Sequence, residues 1–350
     1  MKVNLDCIIF GLQRVGGIST YWSELARWLA ARDDVELTLT LPRQMVAKHG
    51  AAVATLAPCG IRPALPDRIG RYLPAPAPDD ADIVHSSYYR LPGARCRARR
   101  VVTVYDFTYE HYRGGPARWL HSAQKANAVR GADGVICISE TTRDDLLAIY
   151  PDVDPARVVA VPLAVARTTF FPIAAAERRA DLADCALFVG ARGGYKRLDL
   201  AVAGVAATPQ LRLALVGAAP VADERAMLDA RLPGRWMALG QLDDAALRRA
   251  YGSAFALVYP SDHEGFGLPI LEAMACGCPA IVASRPASRE AGGSAALYAE
   301  AQSGEAYAAV LSTVDRQRGA AIGAGLHHAD TFSWDRTFAA TVAFYRQIGA

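Results

Sequence analysis

The feature that most constrains this chain is a series of short apolar, β-branched runs separated by helical patterns, present in the first half and again in the second. "VNLDCIIFG", "VELTLTLP", "DIVHSS", "RRVVTVYDF" and "GADGVICIS" read as strands. Between them, "GGISTYWSELARWLAAR" places Trp22, Leu25, Ala26 and Leu29 on one helical face. Such alternation predicts a parallel, doubly wound α/β sheet. Residues 167–180, "RTTFFPIAAAERRA", read as a connection. The pattern then restarts with "CALFVGA", "LRLALVGAA", "RWMALGQ", "FALVYPS" and "PAIVAS". Two successive α/β halves predict two Rossmann-like domains facing across a cleft.

A chain of 350 residues is long enough for two cores. Its 52% hydrophobic and 21% charged residues are those of a globular protein. "MKVNLDCIIFGL" has one lysine and an apolar run broken by Asp6, a poor signal peptide and a good buried strand. No apolar segment approaches the roughly 20 residues that span a bilayer. The seven cysteines include no Cys-x-x-Cys, and the close pair Cys276 and Cys278 merely flanks Gly277. The expectation is a reducing, cytoplasmic setting without structural zinc. A net charge of +3 does not argue for nucleic acid. Arg90, Arg95, Arg97, Arg99 and Arg100 cluster without an intervening acid. They read as a solvated turn or as a contact with anionic headgroups at the inner face of a membrane.

The stretch "SDHEGFGLPILEAMACGCPAIVAS" carries the chemistry. Tyr259 ends a strand, Pro269 suits a first helical turn, Gly277 suits a helix C-terminus, and Pro279 forbids continuation. "EGFG" is therefore a strand-to-helix loop at the carboxyl end of a parallel sheet, where ligands of such folds bind. Its glycines let backbone N–H groups approach an anion at the helix N-terminus. Glu264 and Glu272, with seven residues between them, can each accept hydrogen bonds from adjacent hydroxyls.

Glu264 and Glu272 within "EGFGLPILEAMACGCPAI" resemble the E-x7-E motif of retaining glycosyltransferases of family 4, which have the GT-B fold. The resemblance extends over nearly the whole chain. "RVGGISTYWSELARWL" resembles the family's Gly-Gly loop, which makes Gly16 and Gly17 donor-phosphate contacts. "FVGARGGYKRLDLAV" resembles its Arg and Lys pair, which makes Arg192 and Lys196 diphosphate ligands. The same resemblance adds Gly217, Gly240, Leu242, Gly265, Phe266, Gly267 and Leu268 to the donor site. The expected domains are residues 1–166 for the acceptor, 167–330 for the nucleotide-sugar donor, and a helix in 331–350 crossing back to the first domain. On the terminal helix, Phe338, Val342 and Tyr345 share one face, with Phe332 and Trp334 packing at its start.

The resemblance implies retention of anomeric configuration without a metal. It also implies a nucleotide-sugar co-substrate and a lipid-linked or oligosaccharide acceptor. "HSSYYRLP" and "GARGGYKR" resemble a bacterial O-antigen and exopolysaccharide subgroup, many of whose members use GDP-mannose or related GDP-sugars. Glu264 and Asp106 are the candidate catalytic residues, Asp106 as the group that orients or deprotonates the acceptor hydroxyl. Many relatives carry His-Asp where this chain has Tyr105 and Asp106, which alters one contact. His85, Tyr88 and Tyr105 are candidates for sugar or acceptor, with Tyr89, His111 and His263 behind them. "DVD" at Asp152–Asp154 imitates a metal motif but reads as a solvated loop. Two rival readings remain: a nucleotide-sugar epimerase on the same architecture, and a non-catalytic glycosyltransferase-like subunit.

Overall fold

A computed structural model describes residues 1–13, 16–46, 50–61, 67–112 and 114–349. The chain divides into two compact units, Met1–Leu163 with Trp334–Ala350, and Ala164–Ser333. These boundaries lie three residues from those expected from sequence, after 166 and after 330.

The first unit holds β1 (Lys2–Asp6), β2 (Glu36–Thr40), β3 (Cys59–Ile61), β4 (Ile83–Ser86), β5 (Arg99–Val104), β6 (Gly134–Cys137) and β7 (Val158–Ala160). They form one sheet in the order β3-β2-β1-β4-β5-β6-β7, and every pairing is parallel. The second unit holds β8 (Cys185–Val189), β9 (Arg212–Val216), β10 (Trp236–Gly240), β11 (Ala256–Tyr259), β12 (Ala280–Ala283) and β13 (Leu297–Ala299). Their order is β10-β9-β8-β11-β12-β13, again parallel throughout. The five strands expected in each half are all present. β3, β7 and β13 were not foreseen. Each has three residues and lies at a sheet edge, where a strand is too short to show a period.

The central strands are apolar because helices cover both their faces. Val3, Leu5, Val84 and Val101 in the first sheet, and Leu187, Leu213, Val258 and Ile281 in the second, are essentially inaccessible. The helix Gly17–Ala30 buries Trp22, Leu25, Ala26 and Leu29, the face that its periodicity predicts. The last helix, Trp334–Gly349, belongs to the first unit. It buries Phe338, Val342 and Tyr345, each contributing roughly 2 kcal/mol by transfer from water. Trp334 stacks on Phe338 with centroids 5.1 Å apart. Phe332 does not join them: it packs in the second unit, 5.8 Å from the ring of Phe266.

Candidate functional site

In a doubly wound sheet the ligand position is the switch point, where strand order reverses and adjacent loops leave in opposite directions. In the second unit that point lies between β8 and β11. The loop after β8 carries Arg192 and Lys196, and the loop after β11 carries Glu264 to Gly267. The two loops are joined: Lys196 Nζ donates to Glu264 Oε1, and also to Tyr259 Oη at 3.1 Å. Both side chains of the ion pair are nearly buried, at 12% and 13% exposure. A part-buried pair of this kind holds two loops in register, because either charge alone would be stranded in a low dielectric.

Around this pair the sheet edge is built from glycine. Gly190 and Gly217 follow β8 and β9, Gly240 ends the neighbouring β10, and all three have positive φ, at 115°, 132° and 73°. Gly190 donates its N–H to Val216 O at 3.1 Å, and Gly217 donates to Gly240 O at 2.9 Å. A Cβ at Gly217 would sit 2.8 Å from Gly190 O and 3.7 Å from Arg192 Nη1. The Arg192 guanidinium donates from Nε to Glu224 at 2.9 Å and from Nη2 to Ala218 O at 2.5 Å. Its Nη1 is buried without an acceptor among the described residues. A guanidinium fixed on two sides with both Nη1 hydrogens unspent is prepared for an anion. Arg197, which precedes the helix Leu198–Ala206, adopts φ 51°, a left-handed conformation costly for a residue with a Cβ. Arg197 and Arg285 grip Asp262 from both sides, at 3.3 and 3.0 Å, and so anchor the loop that bears Glu264.

Gly267, at φ 111°, turns the chain into the helix Leu268–Ala275, with Pro269 in its first turn. Gly277 ends it at φ 73°. Glu272 lies on this helix, half-buried, and accepts a hydrogen bond from Tyr251 Oη at 3.1 Å. Burial is the main cause that raises its pKa to about 7, against the opposing bond from Tyr251. Gly265 and Gly267 are buried, Leu242 and Leu268 are half-exposed, and Phe266 is 2% exposed. The Phe266 ring is spent on packing, so any ligand contact there is through its backbone.

In the first unit the switch point lies between β1 and β4. Gly16 caps the helix beginning at Gly17, and Arg14 and Val15 beside it lie outside the described residues. Gln13 Oε1 accepts the Ser19 N–H at 3.2 Å, so one donor of that helix end is already committed. Asp106 follows β5, accepting the Thr108 N–H at 2.8 Å through Oδ1 and the Lys125 ammonium at 2.8 Å through its backbone carbonyl.

Several sequence assignments need correction. His85 is fully buried, with Nδ1 2.5 Å from Tyr345 Oη and Nε2 2.7 Å from Thr103 Oγ1. Burial pushes its pKa down to about 3, so it is a neutral core residue, not a substrate contact. Tyr105 is likewise buried, its hydroxyl accepting from Trp22 Nε1. Tyr88 stays half-exposed, its hydroxyl 3.1 Å from His121 Nδ1. Arg90 is no surface cation: its guanidinium makes a buried bidentate pair with Asp6, at 2.6 and 2.5 Å. Arg99 and Arg100 pair with Asp133. The Asp152–Asp154 loop is solvated as expected: Asp152 is exposed and pairs with Arg130 at 2.7 Å, and exposed Asp154 caps a short 3-10 turn. Sequence reasoning missed Glu224, Tyr251 and Tyr259 as partners of the candidates Arg192, Glu272 and Lys196, because such pairings across the chain leave no local signal.

Comparison with known proteins agrees with this architecture. The sucrose-phosphate synthase of Thermosynechococcus elongatus superposes with a TM-score of 0.73 at 19% identity, covering 99% of this chain and 98% of that one. The Anabaena protein HepE, solved with UDP and glucose, gives 0.73 at 17% identity with the same coverage. The fold is therefore that of the two-domain GT-B proteins. Residues 16–164 match the family "Glycosyl transferase 4-like domain", and residues 184–315 match "Glycosyl transferases group 1". By fold and by the families of both units, the chain belongs with the GT-B glycosyltransferases. Among its relatives, the O-antigen chain mannosyltransferase B of Escherichia coli is 39% identical over 111 residues, 31% of this chain and 29% of that protein. The D-inositol 3-phosphate glycosyltransferase of Actinosynnema mirum is 33% identical over 246 residues, 63% of this chain and 58% of that protein. The match to the alpha-maltose-1-phosphate synthase of Mycolicibacterium smegmatis, at 29% identity, spans 65% of its length. Among the described residues, no helix is long and apolar enough to cross a membrane.

Proposed function

We propose that the protein is a cytoplasmic, retaining hexosyltransferase of family 4. It would move a sugar from a nucleotide-sugar to a lipid-linked or oligosaccharide acceptor in the assembly of a surface polysaccharide. The observation that carries this reading is the join between the β8 and β11 loops: the Lys196–Glu264 pair beside the unspent Nη1 of Arg192. Cleavage of a sugar–phosphate bond leaves negative charge on a nucleoside diphosphate. Arg192, Lys196 and the N-terminus of the helix Leu268–Ala275 would stabilise that charge, with no call for a metal. Phosphate would draw Lys196 away from Glu264 and release that carboxylate to the hexose hydroxyls. Glu272, held by Tyr251, would accept from the ribose diol. The glycines at 190, 217 and 240 let the backbone approach the nucleotide without a Cβ in the way. Retention follows if the acceptor attacks from the leaving-group face, with Asp106 orienting its hydroxyl and no protein nucleophile.

The Escherichia coli relative supports mannose and hence a GDP-sugar, whereas the HepE structures contain UDP or UDP-glucose. Thermal unfolding with GDP, UDP and dTDP, then with their hexose conjugates, tests the reading. One nucleotide should raise the midpoint, and its conjugate should release sugar with the anomeric configuration kept. No shift with any nucleotide would favour a subunit without chemistry. A rearranged nucleotide-sugar as product would favour an epimerase.

A further inference from the structure

A cavity of about 480 Å³ lies wholly within the first unit, against the helices Thr108–Tyr112 and Pro116–Gly131. Its walls include Glu110, His111, Trp119, Ser122, Ile149 and Tyr150. The volume is that of a small-molecule site. Two of the lining residues carry a buried polar atom with no partner among the described residues: Glu110 Oε1 and Ser122 Oγ. Such atoms are rare in native structures, and each calls for a donor or acceptor from outside. The Glu110 side chain is 10% exposed, and its other oxygen takes the ammonium of Lys125 at 2.8 Å, a lysine 1% exposed. The same Lys125 Nζ donates to the backbone carbonyl of Asp106 at 2.8 Å. The cavity therefore backs directly onto the loop that carries Asp106.

We infer that this cavity binds a pyranose ring. The charge of Glu110 is already met by Lys125, so its free oxygen lacks a hydrogen-bond donor and not a counter-ion. Arg118 and His111 also line the cavity, and a cationic ligand would meet them; His111 has Asp145 at 3.9 Å. An anionic ligand would meet the Glu110 carboxylate. A neutral hydroxyl would satisfy Glu110 Oε1, and an adjacent one Ser122 Oγ, once a small side-chain rotation brings these buried atoms to the cavity surface. The remaining wall is apolar: Trp119, 78% exposed, with Ile149 and Tyr150. A sugar combines a hydroxyl edge with a flat C–H face that stacks on such rings. Because Lys125 bridges cavity and Asp106, the ring held here would be a sugar of the acceptor. That last step rests on the glycosyl-transfer reading, but affinity of the cavity for sugar does not.

Calorimetric titration of the full-length protein with mannobiose and with maltose tests the inference, with n-butylamine and inorganic phosphate as charged probes. At least one disaccharide should bind saturably. Trp119→Ala should weaken it about tenfold and Ser122→Ala about fivefold. Thermal unfolding of both variants checks that they remain folded. Absence of disaccharide binding to the wild type, or binding unchanged in both variants, would overturn the inference. So would a response to butylamine or phosphate, but not to sugar, that the same variants lose. Release of free hexose from the donor by wild-type protein without acceptor reports on glycosyl transfer alone. Disaccharide binding without such release would keep the pocket and remove the transfer reading.

Discussion

Glu272→Gln separates what the Glu272 carboxyl does for the fold from what it does for a ligand. In the folded protein its pKa is raised from 4.5 to about 7, chiefly by burial. The folded state thus holds a proton that the unfolded chain has released. Below pH 4.5 both states are protonated and the group costs nothing. Between 4.5 and about 7 the unfolded chain ionises first, so stability falls as pH rises, and above 7 the loss levels off. At about 1.36 kcal/mol per unit, the penalty is about 1 kcal/mol near pH 5 and about 3 kcal/mol near pH 8. Glutamine cannot ionise, yet its carbonyl can still accept from Tyr251. The variant should therefore match the wild type near pH 4 and exceed it by about 3 kcal/mol near pH 8, measured by urea denaturation across that range. All other groups titrate in both proteins, so the difference isolates Glu272. A stability difference that does not change with pH would refute the reasoning. Nucleotide affinity should move the opposite way, falling about tenfold as a charged acceptor for the diol is lost.

Glu264→Gln should nearly abolish sugar transfer and also lower the unfolding midpoint, because it leaves the nearly buried Lys196 ammonium without its counter-charge; a folded variant with undiminished turnover would remove its assigned role. Lys196→Ala should weaken a nucleoside diphosphate about tenfold or more by calorimetry while barely affecting the nucleoside, since only phosphate meets the ammonium. Arg90→Ala leaves Asp6 buried and unpaired, so chemical denaturation should register a loss of about 3–5 kcal/mol. Gly217→Ala forces a Cβ to within 2.8 Å of Gly190 O at φ 132°. It should cost about 2 kcal/mol and depress nucleotide binding, with unaltered binding refuting the close-approach role of that edge.

The parts legible in the sequence are those whose cause is local. Apolar runs located ten strands, and the glycines and prolines around Glu264 located the loop and its helix, because φ preferences and capping act over a few residues. What escaped depends on distant partners. His85 read as a candidate because its strand ends at the carboxyl edge of the sheet. Its actual environment is set by Tyr345, 260 residues away. Arg90 sat in a charge run that looked solvated, but its partner Asp6 is 84 residues earlier. Tyr105 carried the family's departure from His-Asp, and its hydroxyl proves to be committed to Trp22. The sugar pocket had no signature at all, because Glu110, Ser122 and Ile149 converge only once the first unit is assembled.

That first unit is discontinuous, and this bears on the order in which the molecule forms during synthesis. Residues 164–333, the whole second unit, are complete before Trp334 leaves the ribosome. Until then the first unit lacks the helix that covers Tyr21, buries Phe338 and gives His85 its hydroxyl partner. The nascent chain therefore carries a finished second unit behind an N-terminal half with an open flank. Closure waits for the sixteen-residue helix Trp334–Gly349. Loss of the helix Trp334–Gly349 would strike the core built from the N-terminal strands and leave the second unit intact.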